Sequence, residues 1–233
     1  MKMKHTRTEA AACWAVGLLM VMGGIAQAQE TGRRAPIDPE IKRLVIESED
    51  CSVFHPKLCA PLATLVARGS DAVQPLFDFL RRSEGQRRAA CVRALAYVGD
   101  KAVGKELLAL DRDRSEDVRI AALDALSRLK PEGAVEALAK AAGSEQVNVK
   151  ITAVVGLGRT GSPGAVEPLL TALEHFHPKV KSGAARSLGQ IGDSRATQDL
   201  LVMLADPIHR SPVRLAVTEA LGGRPTRAAE VSS

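Results

Sequence analysis

Aromatic side chains are nearly absent: the 233-residue chain has one Trp, one Tyr and four Phe. Trp14 lies in the first 28 residues, and the remainder offers only Phe54, Phe77, Phe79, Tyr97 and Phe176. These are too few and too scattered to form a stacking platform for bases or sugars. Alternating apolar and polar residues of the kind that mark a half-buried strand are also missing, so the chain reads as all-α. Neither a Gly-x-Ser-x-Gly nucleophile elbow nor a Cys-x-x-Cys-His haem attachment is present.

Long apolar runs are confined to the N-terminus. Lys2, Lys4 and Arg7 precede an apolar run from Ala10 to Ile25, and Ala26-Gln27-Ala28 supplies small residues at cleavage positions. This is the pattern of a secretory signal peptide, giving a mature chain from Gln29. The rival reading is an uncleaved anchor, against which stand the shortness of the run and Gly17, Gly23 and Gly24 within it. Removal of residues 1–28 takes away three basic residues and Glu9, so the net charge falls from +5 to +3. Such a mild excess weakens any case for nucleic acid or anionic lipid, which the precursor's isoelectric point of about 9.2 overstates. Export to a periplasmic or secreted location is the expectation, with no stable membrane span after cleavage. Three cysteines then remain. Cys51 and Cys59, close together around His55-Pro56, are expected to bridge in an oxidising compartment, and Cys91 is expected to be a small buried thiol.

What the sequence has in abundance is repetition. A basic residue seven places before a leucine recurs as Arg88/Leu95, Arg119/Leu126, Lys150/Leu157, Lys181/Leu188 and Arg214/Leu221, at intervals of 31, 31, 31 and 33 residues. A second leucine keeps the 31-residue beat at Leu76, Leu107, Leu138, Leu169 and Leu200. Within one unit, Val118, Ala121, Ala122, Ala125, Leu126 and Leu129 fall on one helical face. Glycines at Gly99, Gly133, Gly161 and Gly192 mark helix breaks. A helix pair carrying one uncovered apolar face must stack on its neighbours, and the alanines between the leucines let them approach closely. The expected architecture is an elongated right-handed α-solenoid of about five helix pairs over residues 70–222. A flexible leader (29–38) and an N-terminal helical cap (39–69) precede it, and a tail (223–233) follows. Each long helix is expected to pair with the short helix after it, leaving the last copy with its first helix alone.

The segments EDVRIAALDALSRL, HPKVKSGAARSLGQIGD and SPVRLAVTEALG resemble HEAT repeats of the short type found in phycobilisome-lyase-like proteins. The resemblance implies the solenoid fold. For function it implies a range, from adaptors and regulatory subunits to chromophore lyases and a few metal enzymes. Iron-dependent hydroxylases of that group use His-Glu dyads; none occurs here, so their metal site does not carry over.

Solenoid stacking would align Arg88, Arg119, Lys150, Lys181 and Arg214 into a basic ladder. It could bind a polyanion, but contacts to carboxylates and helix carbonyls of adjacent repeats are the preferred reading. The resembling family has an Asp before the Val-Arg pair; here Asp117 matches, whereas Asn148, Lys179 and Pro212 depart from it. Gly156-x-Gly158-x-x-Gly161 lies at a helix end rather than after a strand, and Gly99 to Lys105 has Glu106 where a P-loop needs Ser or Thr. His175 and His177 are two residues apart without a third ligand nearby, and they read as part of an inter-repeat turn. No metal or other cofactor is expected.

The expected function is a non-catalytic exported scaffold or adaptor that binds a protein partner through its helical surface. Candidate contact positions are Lys105, Glu136, Lys140, Glu167 and Thr171, which lie off the leucine stripe. The alternative is a lyase-like or metal-assisted enzyme on the same solenoid. The intact mass of the exported protein, measured without reduction, is expected to match a chain beginning at Gln29 with one disulfide; retention of Met1 or a free Cys51 would contradict the respective expectation.

Overall fold

A computed structural model describes residues 36–49, 59–99, 103–205 and 211–222. The signal segment, most of the leader, Cys51 and the tail lie outside the described residues. All the helices described below belong to one unit that begins at Pro39. Two of them open it: α1 (Pro39–Glu47), started by a proline at a position that needs no amide donor, and α2 (Ala60–Ala67). Arg68 Nη1 donates to Glu40 Oε2 at 2.9 Å, joining the end of α2 to the start of α1.

Ten helices then alternate short and long: α3 (Val73–Leu80), α4 (Gly85–Val98), α5 (Gly104–Leu108), α6 (Glu116–Leu129), α7 (Ala134–Ala142), α8 (Val147–Thr160), α9 (Val166–Leu173), α10 (Pro178–Ile191), α11 (Thr197–Ala205) and α12 (Ser211–Gly222). They pack as sequential pairs in a solenoid-like repeat fold, with the long helices stacked on one another in one layer and the short helices in a second. The period reflects this directly. Leu76, Leu107, Leu138, Leu169 and Leu200 of the short helices are fully buried, as are Leu95, Leu126, Leu157 and Leu188 of the long ones.

The pairing differs in phase from the sequence expectation. Each short helix packs mainly on the long helix that follows it, so the described residues form five complete pairs, and α11 with α12 is one of them. The reason is visible at the breaks. Lys130 at φ 48° and Gly99, Gly161 and Gly192 at φ 68–80° end the long helices with a left-handed residue, which turns the chain into the next repeat.

The long helices are buried on more than the one stripe their spacing suggested. In α6, Leu123 and Ser127 are buried along with Val118, Ala121, Ala122, Ala125 and Leu126, because α4 and α8 flank it on opposite sides. Small residues set the distance between these helices. A Cβ on Gly158 would stand 2.7 Å from Ser187 Cα, and one on Gly189 would stand 2.6 Å from Ala220 Cα. Gly156 meets Ser127 in the same way, with 3.2 Å from its would-be Cβ to Ser127 Cβ. Ser187 Oγ also donates across the contact to Val154 O at 2.9 Å. Cys91 is fully buried in α4 at the place Ala122, Ala153 and Ala184 take in later repeats, and burial pushes its thiol pKa up to about 12.

Among the described residues, no helix is long and apolar enough to cross a membrane. Gly158→Val is expected to lower stability by about 1–3 kcal/mol, because overpacking at the helix contact outweighs the gain in helix propensity. Gly222→Ala, where an added Cβ meets nothing within 4 Å, serves as the control and should leave the urea midpoint nearly unchanged.

Candidate functional site

The connections between short and long helices form one edge of the repeat stack, and the basic ladder stands there. Arg88 Nε donates to Asp113 Oδ2 at 2.9 Å, and its Nη1 donates to Leu80 O at 2.7 Å. The other oxygen of Asp113 accepts from Ser115 N at 2.9 Å, so this carboxylate caps a turn and holds the preceding repeat together. Arg119 donates to Asp113 O and to Gln146 Oε1, joining two consecutive connections. The Asp before the Val-Arg pair, Asp117, is not its hydrogen-bond acceptor. Lys150 and Lys181 are half-buried and lie close enough to His175 to act on its charge, whereas Arg214 is exposed.

Between α9 and α10 the connection Glu174-His175-Phe176-His177 is built from side-chain caps. His175 Nδ1 accepts from His177 N at 3.1 Å, and His177 Nδ1 accepts from Lys179 N at 3.3 Å, capping the first turn of α10. His175 stacks on Phe176 with ring centroids 4.4 Å apart. Phe176 is 81% exposed, far more than any other large apolar residue among those described. Desolvation lowers the His175 pKa below its ordinary value, and the positive charges of Lys150 and Lys181 push the same way.

Beside this turn, α7 and α9 border a groove of about 590 Å³. Ala139, Ala142, Gly143 and Pro168 make its apolar part, with Lys150, Glu167, Thr171 and His175 among the polar groups around it. Of the expected contact positions, Glu167 and Thr171 are brought together here. Lys105 on α5 and Glu136 and Lys140 on α7 are exposed but do not line the groove. Glu167 also faces Arg195 Nη1 at 3.5 Å. The sequence reading passed over the apolar lining residues and treated the His-Phe-His turn as bland. A lone Phe among polar residues, in a connection rather than on a helix stripe, was the available signal.

The glycine motif has a packing role. Gly156 and Gly158 are buried inside α8 against neighbouring helices, with no open loop to cradle a phosphate. Residues 100–102 of the other glycine pattern lie outside the described residues. Among the described residues there is no group of three or more His, Cys, Asp or Glu placed to hold a metal ion.

Helix pairs in register, with small-residue contacts in one layer and exposed grooves along the other, define an α-solenoid repeat protein. A family model described as HEAT repeats matches residues 73–149 and 136–222, and the chain belongs to the HEAT-repeat family. An engineered protein solved by crystallography is similar at 19% identity, covering 80% of this chain and 96% of its own, with a TM-score of 0.53. The complex of CpcE and CpcF of phycocyanin lyase from Nostoc sp. is similar at 20% identity over 83% of this chain and 78% of that one, with a TM-score of 0.50. A designed armadillo repeat protein in complex with the peptide (KR)4 gives 18% identity, 79% and 99% coverage and a TM-score of 0.50. These likenesses show the fold. No curated protein sequence matches the chain.

A histidine whose pKa is lowered on folding binds fewer protons in the folded state than in the unfolded one. Stability therefore rises with pH through the window below the ordinary histidine value of about 6.5, and acid erodes it. The melting temperature is expected to fall on acidification from neutral pH to about 5.5, and to fall less in His175→Ala; equal pH slopes for the two proteins would contradict this.

Proposed function

We propose that this chain is an exported, non-catalytic scaffold that binds a protein partner through its short-helix layer. The observation that carries the reading is the groove between α7 and α9 beside Phe176. A largely apolar depression next to an exposed aromatic ring is the arrangement that protein interfaces use as an anchor point. Glu167, Thr171 and Lys150 around it supply the polar groups that orient a partner. Protein binding is also the usual role of HEAT-repeat solenoids, the family to which the chain belongs.

The N-terminal run of Lys2, Lys4 and Arg7, apolar residues and small cleavage positions supports export to an oxidising compartment. Cys59 and Cys51 are proposed to bridge, as two nearby cysteines do in an oxidising compartment. A bridge there would fasten the connection between α1 and α2, at the end of the stack where no complete repeat precedes.

A photo-crosslinking amino acid placed at Thr171 in living cells is expected to trap one discrete partner. Phe176→Ala should weaken that association by about 2 kcal/mol or more, the size of effect seen on removing an aromatic anchor, with an unchanged melting temperature. Absence of any discrete adduct, or an adduct indifferent to Phe176→Ala, would count against this surface.

A further inference from the structure

A second groove, of about 580 Å³, lies where the α3–α4 connection meets the α5–α6 connection. Arg81, Arg82, Arg88 and Arg114 line it, against two carboxylates, Glu84 and Asp113. Much of the negative charge is already engaged. Asp113 is spent on Arg88 and the Ser115 amide, while Glu84 lies only loosely beside Arg114 at 3.8 Å, with both side chains about nine-tenths exposed. Arg81 is held to Asp78 at 3.0 Å but is itself 64% exposed, which leaves much of its guanidinium open to solvent.

The helix that starts in this groove adds to the positive potential. The first turn of α4 contains Arg87 and Arg88 and no acidic residue, and its N-cap residue, Glu84, makes no side-chain capping hydrogen bond. The N-terminal end of a helix dipole is positive, so cations there are unfavourable and an anion is favoured. The neighbouring α6 follows the opposite pattern, with Glu116 and Asp117 in its first turn. The corresponding connections of the next repeats do not repeat the arginines: residues 143–146 read Gly-Ser-Glu-Gln, and residues 174–177 read Glu-His-Phe-His. The cationic groove is thus local to the first two repeats and not a by-product of the repeat itself.

We propose that this groove is a docking site for an acidic peptide segment of a partner protein. Its volume falls in the range of about 300–1,000 Å³ typical of pockets for small ligands, which suits a few Asp or Glu side chains and not a folded domain. Guanidinium forks pair with carboxylates through two parallel hydrogen bonds, and Arg81 and Arg114, each largely exposed and touching one carboxylate, offer such positions at this depression. None of the groove's lining residues is aromatic, so the bases of a nucleic-acid strand have no ring to stack against. The proposal rests on the scaffold reading and adds the partner's chemistry at a surface apart from Phe176.

The test uses the full mature chain and a fluorescein-labelled oligoglutamate peptide, followed by anisotropy. Saturable binding that weakens with added salt is expected, and the double variant R81E/R114E should weaken it about tenfold or more while leaving the melting temperature nearly unchanged, because both side chains are largely exposed. Arg88 is left untouched because it closes the connection to Leu80 and Asp113. Absence of saturable binding, or binding that R81E/R114E does not change, overturns the proposal. Tighter binding of a charge-matched single-stranded oligonucleotide overturns the peptide assignment. If R81E/R114E still captures its partner in cells while oligoglutamate fails to bind, the groove proposal falls and the scaffold reading stands. Loss of capture in the wild-type chain would instead sink the scaffold reading.

Discussion

The near-contact of backbones between neighbouring long helices is the constraint on which the other features depend. At Gly158 against Ser187 and at Gly189 against Ala220 there is no room for even one methyl group. Helices that touch this closely cannot slide past one another by a fraction of a turn without collision, so each repeat has one register relative to the next. The Ser187 hydroxyl, bonded to the Val154 carbonyl, adds a directional link to the same contact. With the register held, the connections at the ends of the helices line up. Arg88 then reaches Asp113, and Arg119 reaches Gln146 of the following connection.

Burial is shared unequally between the layers as a result. Long helices such as α6 lose surface to a neighbour on each side and to a short helix besides, which leaves little of them free to evolve contacts with other molecules. The short helices are more open and keep polar residues such as Lys105, Glu136, Lys140, Glu167 and Thr171 in solvent. The two grooves described above are of similar volume and differ in chemistry. One, between α7 and α9, is largely apolar and adjoins an exposed Phe; the other, at the first two repeats, is lined by arginines. A scaffold with two chemically distinct surfaces can orient a partner in a way that one surface cannot.

Much of the fold was legible because it repeats. Two leucine registers with one 31-residue period report residues that are all fully buried in the short helices and nearly all so in the long ones. The left-handed helix stops at Gly99, Gly161 and Gly192 were legible for a stereochemical reason, since glycine carries no Cβ penalty there. The phase of the pairing was not. A periodic pattern is the same whichever element is counted first, and only packing shows that α11 belongs with α12. The apolar groove was also hidden, because Ala139, Gly143 and Pro168 come from different elements and none is unusual alone.

What the sequence determined by itself was the class: helices in a 31-residue repeat, small residues between leucines, and charged residues off the stripe. These are local or periodic properties, and a one-dimensional pattern is enough to carry them. What only the tertiary structure decided was the use of particular side chains. Arg88 and Arg119 look equivalent to Lys150 and Lys181 in the alignment of repeats, yet the first two tie connections together and the second two face His175. The arginines at 81, 82 and 114 become one groove because helices separated by a whole repeat in sequence are adjacent in space. Which contacts each cation makes depends on the acceptors brought beside it, and those are chosen by the stacking of one repeat on the next.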